Sequence, residues 1–139
     1  MRRIIIPIFL ALTFLCACSE RCETALDWIN KAHLLWDGKQ YTDPGKAIEY
    51  LNNAVRMDPY DAIAYDNRGL AYANLGEYQS AIDDYDQAIR LKPDYADAYD
   101  NRGTLYLNQG NNELGCRDGK KACALGDCKL LKIAKGYCR

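Results

Sequence analysis

Apolar and small side chains recur along the middle of this chain at the spacing of amphipathic helices. Tyr65, Arg68, Gly69 and Tyr72 share one face at i, i+3, i+4 and i+7, which predicts a helix. Gly76-Glu77 interrupts it. A second helix follows with Ala81, Tyr85, Ala88 and Leu91 on its apolar face, and Pro93 stops it because proline cannot continue the hydrogen-bond ladder. Gly69 removes a side chain where the two helices must approach closely, and aromatic rings fill the space on either side. Downstream, Tyr99, Arg102, Gly103 and Tyr106 restate the first face, but Gly115 and Gly119 then stand where an alanine and an aromatic ring are expected. Upstream, Trp28, Lys31, Ala32 and Leu35 fit the first helix if the loop from Trp36 to Lys46 holds extra residues.

The pattern is periodic. Residues 65–72 and 99–106 are near copies 34 positions apart, and the offset also carries Asp84 onto Asp118, Ala88 onto Ala122 and Leu91 onto Leu125. Backwards, Ala81 matches Ala47, and Lys92-Pro93 matches Asp58-Pro59. A fixed period of this size means one helix pair per repeat, stacked so that each pair buries the face its neighbour exposes. The motif resembles the tetratricopeptide repeat over roughly residues 25–127. The expected fold is all-α: an α-solenoid of three helix pairs (25–59, 60–93 and 94–127) closed by a C-terminal cap at 128–139. Gly115 and Gly119 are expected to weaken the last repeat. The resemblance implies a scaffold that presents a groove, and it seldom accompanies catalysis.

The start of the chain bears on compartment. Arg2-Arg3 precede an apolar run from Ile4 to Leu15, interrupted by Pro7 and short of the roughly 20 residues that span a bilayer. Basic residues, a short apolar stretch and a small residue before the cut describe a secretory signal, residues 1–17. Leu15-Cys16-Ala17-Cys18 resembles a bacterial lipobox, which implies lipidation at Cys18 and a short tether, 18–24. Ser19 resembles signals that allow outer-membrane sorting. The expected location is the bacterial envelope, lipid-anchored in the outer membrane and facing the periplasm. An ordinary secretory signal with incidental cysteines is the alternative.

Loss of Arg2 and Arg3 with the signal moves the formal net charge from −1 to −3. From Cys116 onward seven basic residues face two acidic ones, so the repeats are acidic and the cap basic. Nothing forms a nucleic-acid stripe, and a solvated face accounts for the basic cap. Cys116, Cys123, Cys128 and Cys138 form an even set in an oxidising compartment. Their spacing lacks the paired CxxC of zinc modules. Cys116 and Cys123 lie about 10.5 Å apart along one helix, beyond the roughly 4.4–6.8 Å of disulfide-linked Cα atoms. Gly126-Asp127 is expected to reverse the chain, which nests Cys123–Cys128 inside Cys116–Cys138. Cys22 in the tether is left free or pairs between molecules.

Candidate chemistry is sparse. Arg68 and Arg102 occupy inward positions, each with an aspartate 16 residues on, which reads as structural ion pairs Arg68–Asp84 and Arg102–Asp118. Asp83 and Asp86 point away from Asp84 on a helix, so they form a solvated face and not a calcium loop. His33 is the one histidine, and no GxSxG, HExxH or phosphate-cradling loop accompanies it. The chain is therefore not expected to be an enzyme, nor to bind a cofactor, a metal ion, nucleic acid or a small-molecule substrate.

The resemblance also implies a groove lined by first-helix residues beside the packing face. They are Asn30 and His33; then Asp66, Asn67, Leu70 and Asn74; then Asp100, Asn101, Thr104 and Asn108. Asparagine both donates and accepts, so such a row suits the backbone of an extended peptide. Chaperone-binding repeats that clamp a terminal carboxylate use lysine and arginine at comparable places. Asp66 and Asp100 would repel one, so the expected partner is a protein or peptide offering a neutral or basic extended segment. Bacterial lipoproteins of this repeat type dock cell-wall hydrolases or assist pilus and secretion assembly. The implied function is a membrane-anchored adaptor, and the alternative is a structural subunit of such an assembly that binds no peptide.

Overall fold

The computed structural model describes residues 23–138. The expected signal, the lipidation site Cys18, Cys22 and all of the tether before Glu23 lie outside the described residues. Within them are seven helices: α1 (Ala25–His33), α2 (Pro44–Met57), α3 (Ala62–Leu75), α4 (Tyr78–Leu91), α5 (Ala96–Asn108), α6 (Asn112–Ala124) and α7 (Lys129–Ile133). They pair as α1/α2, α3/α4 and α5/α6, and each pair packs against the next through α2/α3 and α4/α5. The first helices of the second and third pairs, α3 and α5, also touch, and α5 touches α7.

Local sequence sets these boundaries. Thr24 caps α1 by accepting from the Asp27 N–H while Asp27 accepts from the Thr24 N–H, a reciprocal box. Asp43 and Asp61 cap α2 and α3 by accepting from main-chain N–H groups of the first turn. Gly76 ends α3 at φ 81°, a left-handed conformation that suits a residue without Cβ. α1 stops at His33, so Leu35, expected on its face, lies just beyond the helix.

Between the helices of a pair, small residues meet large ones. A Cβ added at Gly69 would lie 2.8 Å from Tyr85 Cε1, and Tyr85 is itself 1% exposed. The third pair solves the same problem differently. At Gly103 an added Cβ would meet Leu130 Cδ2 at 2.6 Å, and at Gly119 it would meet Leu131 Cδ2 at 3.1 Å. Leu130 therefore fills the space that the Tyr85 ring fills one repeat earlier, and Gly119 leaves room for it. Gly115 lets the α5 and α6 backbones close up, with Gly103 O 2.9 Å from where its Cβ would be. Two of the glycines of this repeat, Gly103 and Gly119, thus make the receptacle for α7.

Gly126 turns the chain at φ 107°. Cys123 joins Cys128 and Cys116 joins Cys138, with Cα atoms 4.0 and 5.3 Å apart. The longer link holds the end of the described chain against α6. In the first pair, residues 34–43 make a hairpin where the second pair has only Gly76 and Glu77. Asp37 Oδ1 accepts from the N–H groups of Lys39 and Gln40, Gly38 takes φ 94°, and Trp36 bridges Tyr41.

Candidate functional site

The hairpin decides what remains open on the face formed by α1, α3 and α5. Tyr41 is 3% exposed and its ring meets Trp36 edge-on, with centroids 5.2 Å apart. Its N–H donates to Asn74 Oδ1 at 2.8 Å and its hydroxyl donates to Asn67 Oδ1 at 3.5 Å. Burial pushes the Tyr41 phenol up to about 12, and the nearby Asp66 charge adds to this. Asn67, expected to face a ligand, thus faces the chain's own tyrosine.

The two aspartates expected to set the ligand's charge are also engaged. Asp66 is 5% exposed and accepts from Asn101 Nδ2 at 3.1 Å and the Tyr95 hydroxyl at 3.4 Å. Asp100 accepts from the Leu130 N–H at 3.1 Å, which ties α5 to the start of α7. Each carboxylate serves the next unit of the stack. Neither is a free charge on a groove wall, so the electrostatic argument for a basic ligand lapses.

Burial raises the Asp66 carboxyl from 3.8 to about 6, against the lowering effect of the Asn101 hydrogen bond. A carboxyl that holds its proton more tightly when folded adds stability that is complete below the unfolded value and lost as pH rises through about 6. The stability of wild type relative to Asp66→Asn is therefore expected to improve as pH falls from about 7 to about 4, by an amount on the order of 3 kcal/mol. Urea unfolding of both proteins across that range checks it, and a pH-independent difference contradicts it.

What stays open is a concavity of about 220 Å³ between α3 and α5. Leu70 and Asn74 line it from α3, and Asn101, Thr104 and Asn108 from α5. Tyr85 and Leu105 make its apolar floor, and half-exposed Tyr78 stands at the rim. No lysine, arginine, aspartate or glutamate lines it. Five of the ten expected groove residues come together here. Asn30 and His33 are exposed on α1 and take no part, and Asp66, Asn67 and Asp100 have the partners just described. The sequence reading missed Tyr41, Tyr78, Tyr85 and Leu105. Leu105 carried a signal, since it falls one residue past Thr104 on the inner side of the face.

Both arginines point the other way. Arg68 grips Asp84 through Nε and Nη2, each at 2.7 Å, and reaches Asn52. Arg102 grips Asp118 at 2.7 and 2.9 Å and also bonds Asp86. These side chains cross between helices and leave no cation in the concavity. A second hollow of about 410 Å³ lies beside Cys116–Cys138, lined by Glu113, Arg117 and Lys120 among others, with charges of both signs on exposed side chains. Among the described residues no three His, Cys, Asp or Glu side chains gather as a metal site, and no helix is long and apolar enough to cross a membrane.

Comparison with known proteins agrees with this architecture. Residues 71–110 match a family model described as TPR repeat. The first TPR of Spaghetti (RPAP3), solved bound to the HSP90 peptide SRMEEVD, is 22% identical with a TM-score of 0.74, covering 82% of this chain and 90% of that one. The Arabidopsis OM64 TPR domain is 23% identical with a TM-score of 0.74, covering 81% and 92%. MamA is 27% identical with a TM-score of 0.66, covering 81% of this chain and 61% of that one. The fold is all-α and TPR-like.

Proposed function

We propose that this chain is a non-enzymatic adaptor that receives an extended, uncharged segment of a partner protein in the α3–α5 concavity. The carrying observation is that concavity itself: an apolar floor of Tyr85 and Leu105 with the carboxamides of Asn74, Asn101 and Asn108 around it. Carboxamides pair with peptide N–H and C=O groups alike, and the floor takes an apolar side chain. With no cation in the lining, nothing there would neutralise acidic side chains like those of the peptide bound by the first TPR of Spaghetti. Affinity in the micromolar range, about −8 kcal/mol, suits such a contact.

The same proposal places the adaptor in a bacterial envelope, held by lipid on Cys18 and facing the periplasm. The motif Leu15-Cys16-Ala17-Cys18 after a basic, apolar start supports this part. Cys18→Ala is expected to abolish acylation and leave an uncleaved precursor, read by mass spectrometry of the purified protein. A normally cleaved, unacylated wild-type protein would contradict the anchor.

A structural subunit is the second reading. Leu34 at 85% and Ile133 at 82% exposed, at opposite ends of the stack, favour it. Affinity capture from envelope extract separates the two. The adaptor reading expects Thr104→Arg to lose the partner that wild type retains, with the helical signal unchanged. Retention of every wild-type partner by Thr104→Arg favours the structural reading.

A further inference from the structure

The chain fills one of its own inter-helix seats with the side chain of Tyr41. Tyr41 enters the seat between α1 and α3 from the hairpin, where it makes an isolated bridge with Trp36, its N–H bonded to Asn74 Oδ1 and its hydroxyl to Asn67 Oδ1. Moving 34 residues on, Asn67 becomes Asn101, Leu70 becomes Thr104, Ala71 becomes Leu105 and Asn74 becomes Asn108. Those four residues line the concavity between α3 and α5. The two seats are thus repeats of one another, and they share Asn74 as a common wall.

They differ in what covers them. The first pair spends residues 34–43 on the hairpin that delivers Tyr41, while the second pair connects its helices through Gly76 and Glu77 alone. Among the described residues no such hairpin reaches the second seat; only Tyr78, at the start of α4, stands at its rim. The exposed Asn108 side chain there has no hydrogen-bond partner among the described residues, and Asn101 bonds Asp66 through its Nδ2, which leaves Oδ1 to accept. The volume, about 220 Å³, is below the roughly 300–1,000 Å³ of small-molecule sites and suits one large side chain.

We propose that the α3–α5 seat binds an aromatic residue, preferentially tyrosine, presented by an extended uncharged segment of a partner protein. Its backbone N–H donates to Asn108 Oδ1 and its hydroxyl to Asn101 Oδ1, as those of Tyr41 do to Asn74 and Asn67. The ring lies on Tyr85 and Leu105, where the aromatic body contributes most of the buried area. This deepens the adaptor reading and rests on it, since it names the chemistry of the segment received.

The test titrates the full chain with capped pentapeptides built on its own Gln40-Tyr41-Thr42 core, with tyrosine, phenylalanine or alanine at the centre. Amide chemical shifts and dissociation constants are read by NMR. The tyrosine probe is expected to bind at least about ten-fold tighter than the alanine probe, with phenylalanine between, and to shift Thr104 and Asn108. Asn108→Ala, whose side chain carries no contact needed for folding, is expected to weaken the tyrosine probe about ten-fold. Equal binding of tyrosine and alanine probes at Thr104 and Asn108 overturns the aromatic preference while leaving a segment-binding groove. Binding elsewhere, or none at millimolar probe, overturns the seat. The Thr104→Arg capture experiment then decides the adaptor reading independently.

Discussion

Arg102→Ala is expected to lower the free energy of unfolding by about 3–5 kcal/mol. Asp118 is 2% exposed, and the two hydrogen bonds from Arg102 at 2.7 and 2.9 Å offset the cost of its burial. Removing the arginine leaves that buried charge without its two hydrogen bonds, with only the exposed Arg117, 4.0 Å away, beside it. Asp86 loses its partner too, but it is exposed, so that part of the loss is small. The distinguishing control is Arg102→Met combined with Asp118→Leu. Deleting both charges removes the desolvation cost along with the attraction, so the double variant is expected to recover most of the loss. Urea unfolding of the three proteins, with disulfides intact, measures this. A loss below about 1 kcal/mol for Arg102→Ala would place the pair among surface ion pairs and contradict the structure.

Leu130→Ala is expected to cost about 2–5 kcal/mol, the range for a core leucine whose site collapses only partly. Leu130 belongs to a five-residue helix, where a substitution would ordinarily matter little. It is nevertheless 4% exposed, and its Cδ2 would touch a Cβ on Gly103 at 2.6 Å and one on Gly119 at 3.3 Å. Two glycines face it, so the space it leaves can be filled only in part, from the side of Leu131, whose Cδ2 lies 3.1 Å from a Cβ on Gly119. Ile133, on the same helix and 82% exposed, supplies the comparison. Ile133→Ala is expected to change stability by no more than about 0.5 kcal/mol. Thermal unfolding of both variants checks the contrast, and equal losses would mean that α7 does not dock through Leu130.

The fold was legible because a solenoid writes its architecture once per repeat. Tyr65, Gly69 and Tyr72 fix one helix face and Ala81, Tyr85 and Ala88 the other; an offset of 34 copies the first face forward onto Tyr99, Gly103 and Tyr106, and carries Ala81 and Ala88 back onto Ala47 and Ala54. The places that were not legible are those where the repeat is broken or where stacking changes a residue's surroundings. The loop that begins at Trp36 holds extra residues that the other repeats lack, so periodicity says nothing about where Tyr41 goes. Asp66 sits beside the packing face of α3, where a lone helix would leave it wet. It becomes buried because Tyr95 and Asn101 arrive from the next repeat. A stripe of Ala62, Asp66 and Gly69 at i, i+4 and i+7 was the available signal that α3 is covered on a second side. Gly119 looked like a defect because its occupant, Leu130, lies beyond the last full repeat and no offset points to it.

The central claim is that the partner lies on the α3–α5 concavity and not elsewhere on the stack. Site-specific photocrosslinking in intact cells tests it most directly, with a benzophenone side chain placed at Thr104 in one strain and at Arg90 in another. Both positions are exposed, but Thr104 lines the concavity and Arg90, on α4, does not. The expected result is a discrete crosslinked protein from position 104 that is absent from position 90. Equal crosslinking from both positions, or a discrete product from position 90 alone, would contradict it.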